Sequence, residues 1–378
     1  MTSRDWSSDV CSSDLMIDSK EIFGKRLKLA RQKEKLSMEE LSNKTGGAVS
    51  KQTISKYEAG RAMAGSDILE KLARALKVSM EYFFRPFSFD MSEINISFRK
   101  KASVKAKDES SLISKIQDKV ERYLEIEKIL SIDNAYNKTE IFPIISSAAQ
   151  MKELARNIRL LWGLGNAPIE NAKELLIQHG IKVFEVDGPD GFDGVSGAAN
   201  DSIWVIVLNN EKKHVERKRL TTLHEFAHLL ANNAFDTTLS QNEKEKLCNV
   251  FASEMLLPSQ VLVDAFSTKS KISFQELISV QCTYGLSIDA IMYSLKSLSI
   301  ISDKRHRSFC IQKNMSSKFK SKVEESRFKE KENSCCSDSE AYTNMVYSAL
   351  AQELITPSRA AELLSIPVSD VQSQSLAF

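Results

Sequence analysis

Along most of the chain, apolar residues recur three and four positions apart, the period that lines one face of an α-helix. Ile22, Phe23, Leu27 and Ala30 keep that spacing between Lys20 and Lys33. Ser37-Met-Glu-Glu40 is a capping-box pattern and predicts a second helix running to about Thr45. Gly46-Gly47 breaks the chain, Ser50 can cap a third helix over Lys51–Glu58, and Gly60 closes it. Two short helices around a glycine-containing turn make a helix-turn-helix. Ser66–Leu76 and Ser79–Phe84 read as two more helices, and Arg85-Pro86 ends the run.

A polar stretch follows, with a short basic run at Phe98-Arg-Lys-Lys101. From Ile113, the residues Ile116, Val120, Tyr123 and Leu124 predict a long helix with an apolar stripe. Glu127 falls on that stripe, although Ile126, Ile129 and Leu130 keep the last turns apolar. The stripe can pack on a neighbouring domain or pair with a second copy, and a charge on the seam favours packing over a coiled coil. Residues 131–147 are irregular, with Pro143 as a breaker.

Helical spacing returns over Ser147–Trp162, with Met151, Leu154, Ile158 and Leu161 on one face. Gly163 and Gly165 end that helix, Pro168 is placed to open another, and Gly180 stops it. The period then changes. Ile181-Lys-Val-Phe-Glu-Val186 alternates and predicts a strand, and Gly188–Ala199 reads as a glycine-rich connection. Ser202–Leu208 is almost wholly apolar, which predicts a strand covered on both faces. Asn209-Asn210 turns the chain into a helix around Leu220–Leu230. Beyond Pro258, helices are expected at 259–266 and 273–298, with Gly285 a break in the second. Residues 315–339 are rich in Lys, Glu and Ser and read as a solvated linker or exposed helix. Helices at about 340–354 and 357–364 close the pattern, the last with Thr356 as cap and Pro357 at its first position.

With 378 residues, 42% of them hydrophobic, the chain can build two or three cores. Its net charge of +2 points to no partner, but the distribution does: residues 16–86 hold 15 Lys/Arg against 9 Asp/Glu. The six cysteines (Cys11, Cys248, Cys282, Cys310, Cys335 and Cys336) include no C-x-x-C pair, which argues against a disulfide scaffold or zinc ribbon and for a reducing cytoplasm. No apolar run approaches the roughly 20 residues of a membrane span, so no membrane partner is expected. Residues 1–15 are Ser/Asp-rich and aperiodic; they read as a non-native leader, with Met16 beginning the helical pattern.

Chemistry concentrates in His224-Glu225-Phe-Ala-His228. Side chains four apart on a helix share a face, so both imidazoles can reach one ion, and Glu225 can reach a water held there. Such a zinc site needs a third protein ligand. In Glu245-Lys-Leu-Cys-Asn-Val-Phe-Ala-Ser-Glu254, the two glutamates face opposite ways on a helix. Glu245 is the first choice and Glu254 the second. Asn249 shares the Glu245 face and is placed to bond the far nitrogen of a zinc histidine. Cys248 reads as a buried free thiol. Arg217 and Arg219 either contact substrate or lock the helix, and by analogy with strand addition the strand 202–208 is expected to offer an edge to an extended substrate backbone. In the basic N-terminal segment, the third helix offers Lys51, Gln52, Thr53, Ser55 and Lys56, side chains suited to base edges and phosphates of DNA.

Two resemblances follow from these residues. Thr53-Ile-Ser-Lys-Tyr-Glu-Ala-Gly60 and Ile68-Leu-Glu-Lys-Leu-Ala-Arg-Ala-Leu76 resemble the XRE, lambda repressor–Cro-like, helix-turn-helix family. Gly194-Val-Ser-Gly197, Arg217-Lys-Arg219, the His-Glu-Phe-Ala-His motif and Asn249-Val-Phe-Ala-Ser-Glu-Met-Leu-Leu-Pro258 resemble the ImmA/IrrE metallopeptidases. Tyr284–Leu295 is similar to the helical end of the same family. The first resemblance implies a homodimer on double-stranded operator DNA. The second implies a gluzincin-like peptidase, with zinc or alternatively manganese, that cuts a repressor-type protein or peptide.

The expected organisation is multidomain: a leader (1–15), an all-α lambda-repressor-like domain (16–86), a connector with a long helix (87–147), an α+β zincin-like (gluzincin) metallopeptidase domain (148–310) and a helical C-terminal region (311–378). The expected function is a DNA-binding regulator whose endopeptidase cleaves a repressor, or itself, to relieve repression. The alternatives are a non-proteolytic repressor or antitoxin-like factor whose metal domain is a sensor or structural, and a protease whose N-terminal domain only docks protein.

Overall fold

The computed structural model describes residues 19–87, 106–132, 136, 144–189, 191–199, 203–210, 214–325 and 338–375. The leader, the basic run at 98–101, Pro143 and the pair Cys335-Cys336 lie outside them. The described residues fall into two compact units, one drawn from Met1–Ser88 and Lys105–Lys115, the other from Phe89–Val104 and Ile116–Phe378.

The first unit holds α1 (Ser19–Lys33), α2 (Met38–Lys44), α3 (Lys51–Glu58), α4 (Ser66–Leu76) and the start of α5 (Ala106–Ile129). Glu81–Phe84 is a single 3-10 turn where a fifth α-helix is expected from the sequence. Phe23, Leu27, Leu41, Ile54, Leu72 and Phe83 are fully buried and make the core. The capping box at Ser37 forms: its hydroxyl accepts from the Glu40 amide at 3.1 Å, and the Glu40 carboxylate accepts from the Ser37 amide at 2.6 Å. Those bonds, with the Lys107 ammonium nearby, pull Glu40 down to about 2. Arg31 grips Glu58 with two bonds of 2.5 and 2.8 Å, tying α1 to the end of α3. With side chains 11% and 5% exposed, that pair fixes the angle at which α3 presents its outer face.

The second unit is built on α6 (Ala148–Leu161), α7 (Ala172–Gln178), β1 (Lys182–Val186), β2 (Gly194–Ala199), β3 (Ile203–Asn209), α8 (Val215–Ala231) and α9 (Gln241–Leu256). Helices α10 (Ser259–Phe266), α11 (Phe274–Tyr284), α12 (Ile288–Ser297), α13 (Asp303–Met315), α14 (Ser317–Glu325), α15 (Asp338–Ala351), α16 (Pro357–Leu364) and α17 (Val368–Ser375) follow. Strand order is β1-β3-β2, with β1 parallel and β2 antiparallel to β3. Trp204 to Leu208 are all buried, as the unbroken apolar run predicts. Helix α9 packs along both α6 and α8, and α8 lies on β2 and β3.

Four expectations change. Residues 194–199, read as connection, are a strand, because glycine and alanine leave no polar/apolar alternation to detect. Strand β3 is central and hydrogen-bonded on both sides, so it offers no edge to a substrate, contrary to the sequence reading; β1 and β2 are the edges. Helix α7 starts at Ala172, not Pro168, because Asn171 caps it through the amides of Lys173 (3.0 Å) and Glu174 (3.1 Å). Leu161, assigned to the buried face of α6, is 57% exposed at the helix end.

Glu127 interrupts its apolar stripe for a reason visible here: it meets Lys182 of β1 at 2.5 Å, with both side chains buried. The same part of α5 places Tyr123 edge-on to Phe184. It also buries Ile126 against Val346, Ala349, Ala360 and Val371 of α15 to α17. Burial works against ionisation of Glu185, but Lys173 and Lys218 outweigh it and hold the carboxyl below its usual range, joining α7, β1 and α8.

Candidate metal centre

Helix α8 is the apolar-backed helix its sequence implies, with Leu223, Phe226, Ala227, Leu230 and Ala231 turned into the core. Its other face carries His224 and His228, whose Nε2 atoms lie 3.1 Å apart. Helix α9 runs beside it and brings Glu245 Oε2 to 3.2 Å from His224 Nε2 and 4.0 Å from His228 Nε2. Among the described residues, His224, His228 and Glu245 form the one group able to hold a metal ion. Three atoms bonded tetrahedrally to zinc at about 2.0–2.1 Å stand roughly 3.3 Å apart, which the 3.1 and 3.2 Å separations match and the 4.0 Å one exceeds. Two imidazole nitrogens and one carboxylate oxygen are also a zinc donor set that leaves a position open.

The outer nitrogens are engaged as well. His224 Nδ1 lies 2.9 Å from Asn249 Oδ1, and His228 Nδ1 lies 3.2 Å from Cys248 Sγ. An acceptor at Nδ1 keeps the ring proton there and leaves Nε2 bare for a metal.

Glu225 is 7% exposed and accepts a 2.8 Å hydrogen bond from Ser196 Oγ. Ser196 stands on β2, opposite Ile206 of β3. Gly194 allows β2 to approach, since a Cβ there would meet Thr221 Cγ2 at 2.9 Å and Val207 O at 3.2 Å. Neither Ser196 nor Cys248 has a partner that sequence spacing reveals. The signal for Ser196 is its place between two glycines.

Glu254 takes no part in this group. It is 3% exposed, accepts from the Ser259 amide at 3.0 Å and from the Ser259 hydroxyl, and faces Arg156 at 3.3 Å. Arg219 is buried and locks α8 in place: its guanidinium donates to the carbonyls of Ile169 and Glu170, each at 2.5 Å. Gly285 makes room for it, because a Cβ there would stand 2.6 Å from Arg219 Nε at a φ of +65°. Arg217 is 58% exposed and pairs with Asp193 at 2.7 Å.

In the first unit, α3 turns Ile54 and Tyr57 inward and exposes Lys51, Gln52, Ser55 and Lys56. Thr53 is half-buried, with its amide and hydroxyl on Ser50 Oγ at 3.2 and 2.9 Å. Lys51 lies 3.7 Å from Glu39 of α2.

Two family models match the chain. One, described as helix-turn-helix, covers residues 27–83; the other, a peptidase family described as IrrE N-terminal-like domain, covers residues 177–296. The first takes in α2 and α3, the second all three strands with α8 and α9. The chain therefore joins a helix-turn-helix segment to a metallopeptidase-type domain of the IrrE kind. No curated protein matches it. Among the described residues no helix is long and apolar enough to cross a membrane.

Proposed function

We propose that this protein is a cytoplasmic DNA-binding regulator with a zinc endopeptidase, which cuts a repressor-type protein, or its own chain, to relieve repression. The observation that carries the peptidase half is the meeting of His224, His228 and Glu245 beside a buried Glu225. His224, His228 and Glu245 are the metal ligands in this reading, and Asn249 fixes the tautomer of His224. A zinc ion held there supplies Lewis acidity and makes water a better nucleophile near neutral pH. Glu225 takes the proton from the attacking water and delivers it to the leaving amine. Ser196 donates to one oxygen of that carboxylate and so holds its orientation. A purely structural metal site has no task for Glu225, which favours catalysis over the structural reading.

The peptidase half is tested by incubating the zinc-loaded protein with XRE-type repressors and following fragments by mass spectrometry. Cleavage is expected to stop on chelation and return with zinc. Fragments that form equally well in chelator would reject the metal-dependent reading.

For the DNA half, α3 enters the major groove, where Gln52 pairs with adenine while Lys51, Ser55 and Lys56 reach phosphates or guanine and Thr53 supports the helix start. The chain binds operator DNA as a homodimer, each copy reading one half-site. Gln52→Ala is expected to weaken specific binding by about 1–3 kcal/mol while leaving the salt slope unchanged. Lys56→Ala should flatten that slope by about one unit. Titrations at several salt concentrations check both, and binding indifferent to salt would point to protein docking instead.

A further inference from the structure

Cys248 has none of its surface exposed, yet its sulfur faces the metal group. It follows Glu245 by three residues and precedes Asn249, so all three lie on the side of α9 turned toward α8. The contacts on that side divide regularly. Glu245 Oε2 approaches Nε2 of both histidines, Asn249 Oδ1 approaches Nδ1 of His224, and Cys248 Sγ approaches Nδ1 of His228.

The geometry points to Cys248 as the positioning residue of His228, doing for that ring what Asn249 does for His224. This role rests on the metal-binding reading above. A neutral imidazole carries one proton, and only its bare nitrogen can ligate an ion. Ligation through His228 Nε2 therefore puts the proton on Nδ1, where the sulfur accepts it. A thiol can also donate. In that arrangement Nδ1 accepts from S–H, the ring proton sits on Nε2, and the ligand position is blocked. Asn249 Oδ1 only accepts, and its amide must turn over to donate from Nδ2, whereas the thiol changes role by rotating its S–H bond alone.

Burial sharpens the difference. Asn249 is exposed, and water can stand in for its oxygen, whereas solvent cannot reach the place of the Cys248 sulfur. Nor is the sulfur itself a ligand. It sits on the Nδ1 side of the ring, and the group of atoms able to share one ion contains no cysteine.

Zinc affinity of the metal-free full chain, measured by competition with a chromogenic chelator, tests this without any substrate. Cys248→Ala is expected to bind zinc about tenfold more weakly or worse, as loss of a partner behind a metal histidine does. Cys248→Ser, which restores an acceptor, should recover most of the loss, and Cys282→Ser, at an exposed site, should change nothing. A merely structural cysteine would lower the melting temperature of the metal-free protein and leave zinc affinity as it was. Cys248→Ala binding zinc as tightly as the parent would overturn the assignment. Should Cys248→Ala not fold, 15N spectra of His228 in the zinc-loaded parent and Cys248→Ser decide. Nδ1 is expected to be protonated and its shift to differ between the two; identical shifts would reject the contact. Failure of the parent itself to take up zinc is a separate result, which removes the metal reading and the Cys248 role with it.

Discussion

Glu225→Gln is expected to lower kcat for metal-dependent cleavage by roughly 10²- to 10⁴-fold, the range that a positioned general base contributes. Glutamine keeps the size of the side chain and can still accept from Ser196, so the position on α8 is preserved and only the proton acceptor is lost. Zinc affinity should be unchanged, because Glu225 is outside the group of His224, His228 and Glu245. KM should change little. Kcat and kcat/KM then fall together, the signature of an interaction made in the transition state alone. Single-turnover cleavage beside a chelator competition reads both quantities. Activity that survives the substitution with zinc still bound would show that another group moves the proton. Loss of zinc along with activity would instead place Glu225 among the ligands.

Much of this site was legible because it is local. A four-residue spacing on a helix decides that His224 and His228 share a face, whatever the surrounding fold does. Helix phase likewise separated Glu245 from Glu254, and α9 brings the first to the imidazoles while the second serves the start of α10. The partners that come from elsewhere in the chain were not legible. Ser196 reaches Glu225 only because a glycine- and alanine-containing strand pairs antiparallel with β3 and passes close to α8. Its neighbours Gly194, Gly197 and Ala198 carry no alternation from which a strand could be read. Cys248 looked like core filling, and it is buried; its second contact, with His228, depends on how α8 and α9 cross. Glu127 was visible as an anomaly on an apolar stripe, but its explanation, Lys182, sits 55 residues away.

The same five-residue motif also carries the fold, and Phe226→Ala is expected to show it. Phe226 is fully buried between the two histidines in sequence and points the opposite way in space. Its ring lies 5.3 Å from Trp162, 5.9 Å from Phe251 and 6.4 Å from Trp204, so it joins α6, α9 and β3 to the back of α8. Trp162 in turn stacks on His179 at 4.0 Å, where burial holds the imidazole below its usual range. Removing the ring opens a cavity at the centre of this cluster and should cost about 3–5 kcal/mol, a large share of the roughly 5–15 kcal/mol that keeps a domain folded. Phe226→Leu, closer in volume, should cost no more than half as much, about 1.5 kcal/mol. Urea unfolding followed by tryptophan fluorescence in a Trp6→Phe background reads this unit, since Trp162 and Trp204 both lie beside the deleted ring. His224→Ala is the counterpart on the opposite face. Its metal-free unfolding midpoint should stay near that of the parent, while the rise in midpoint on adding zinc disappears, because an ion stabilises only the state that binds it. A Phe226→Ala protein as stable as the parent would mean that α8 is held by its polar contacts, with Arg219 foremost, and not by the apolar side of the motif.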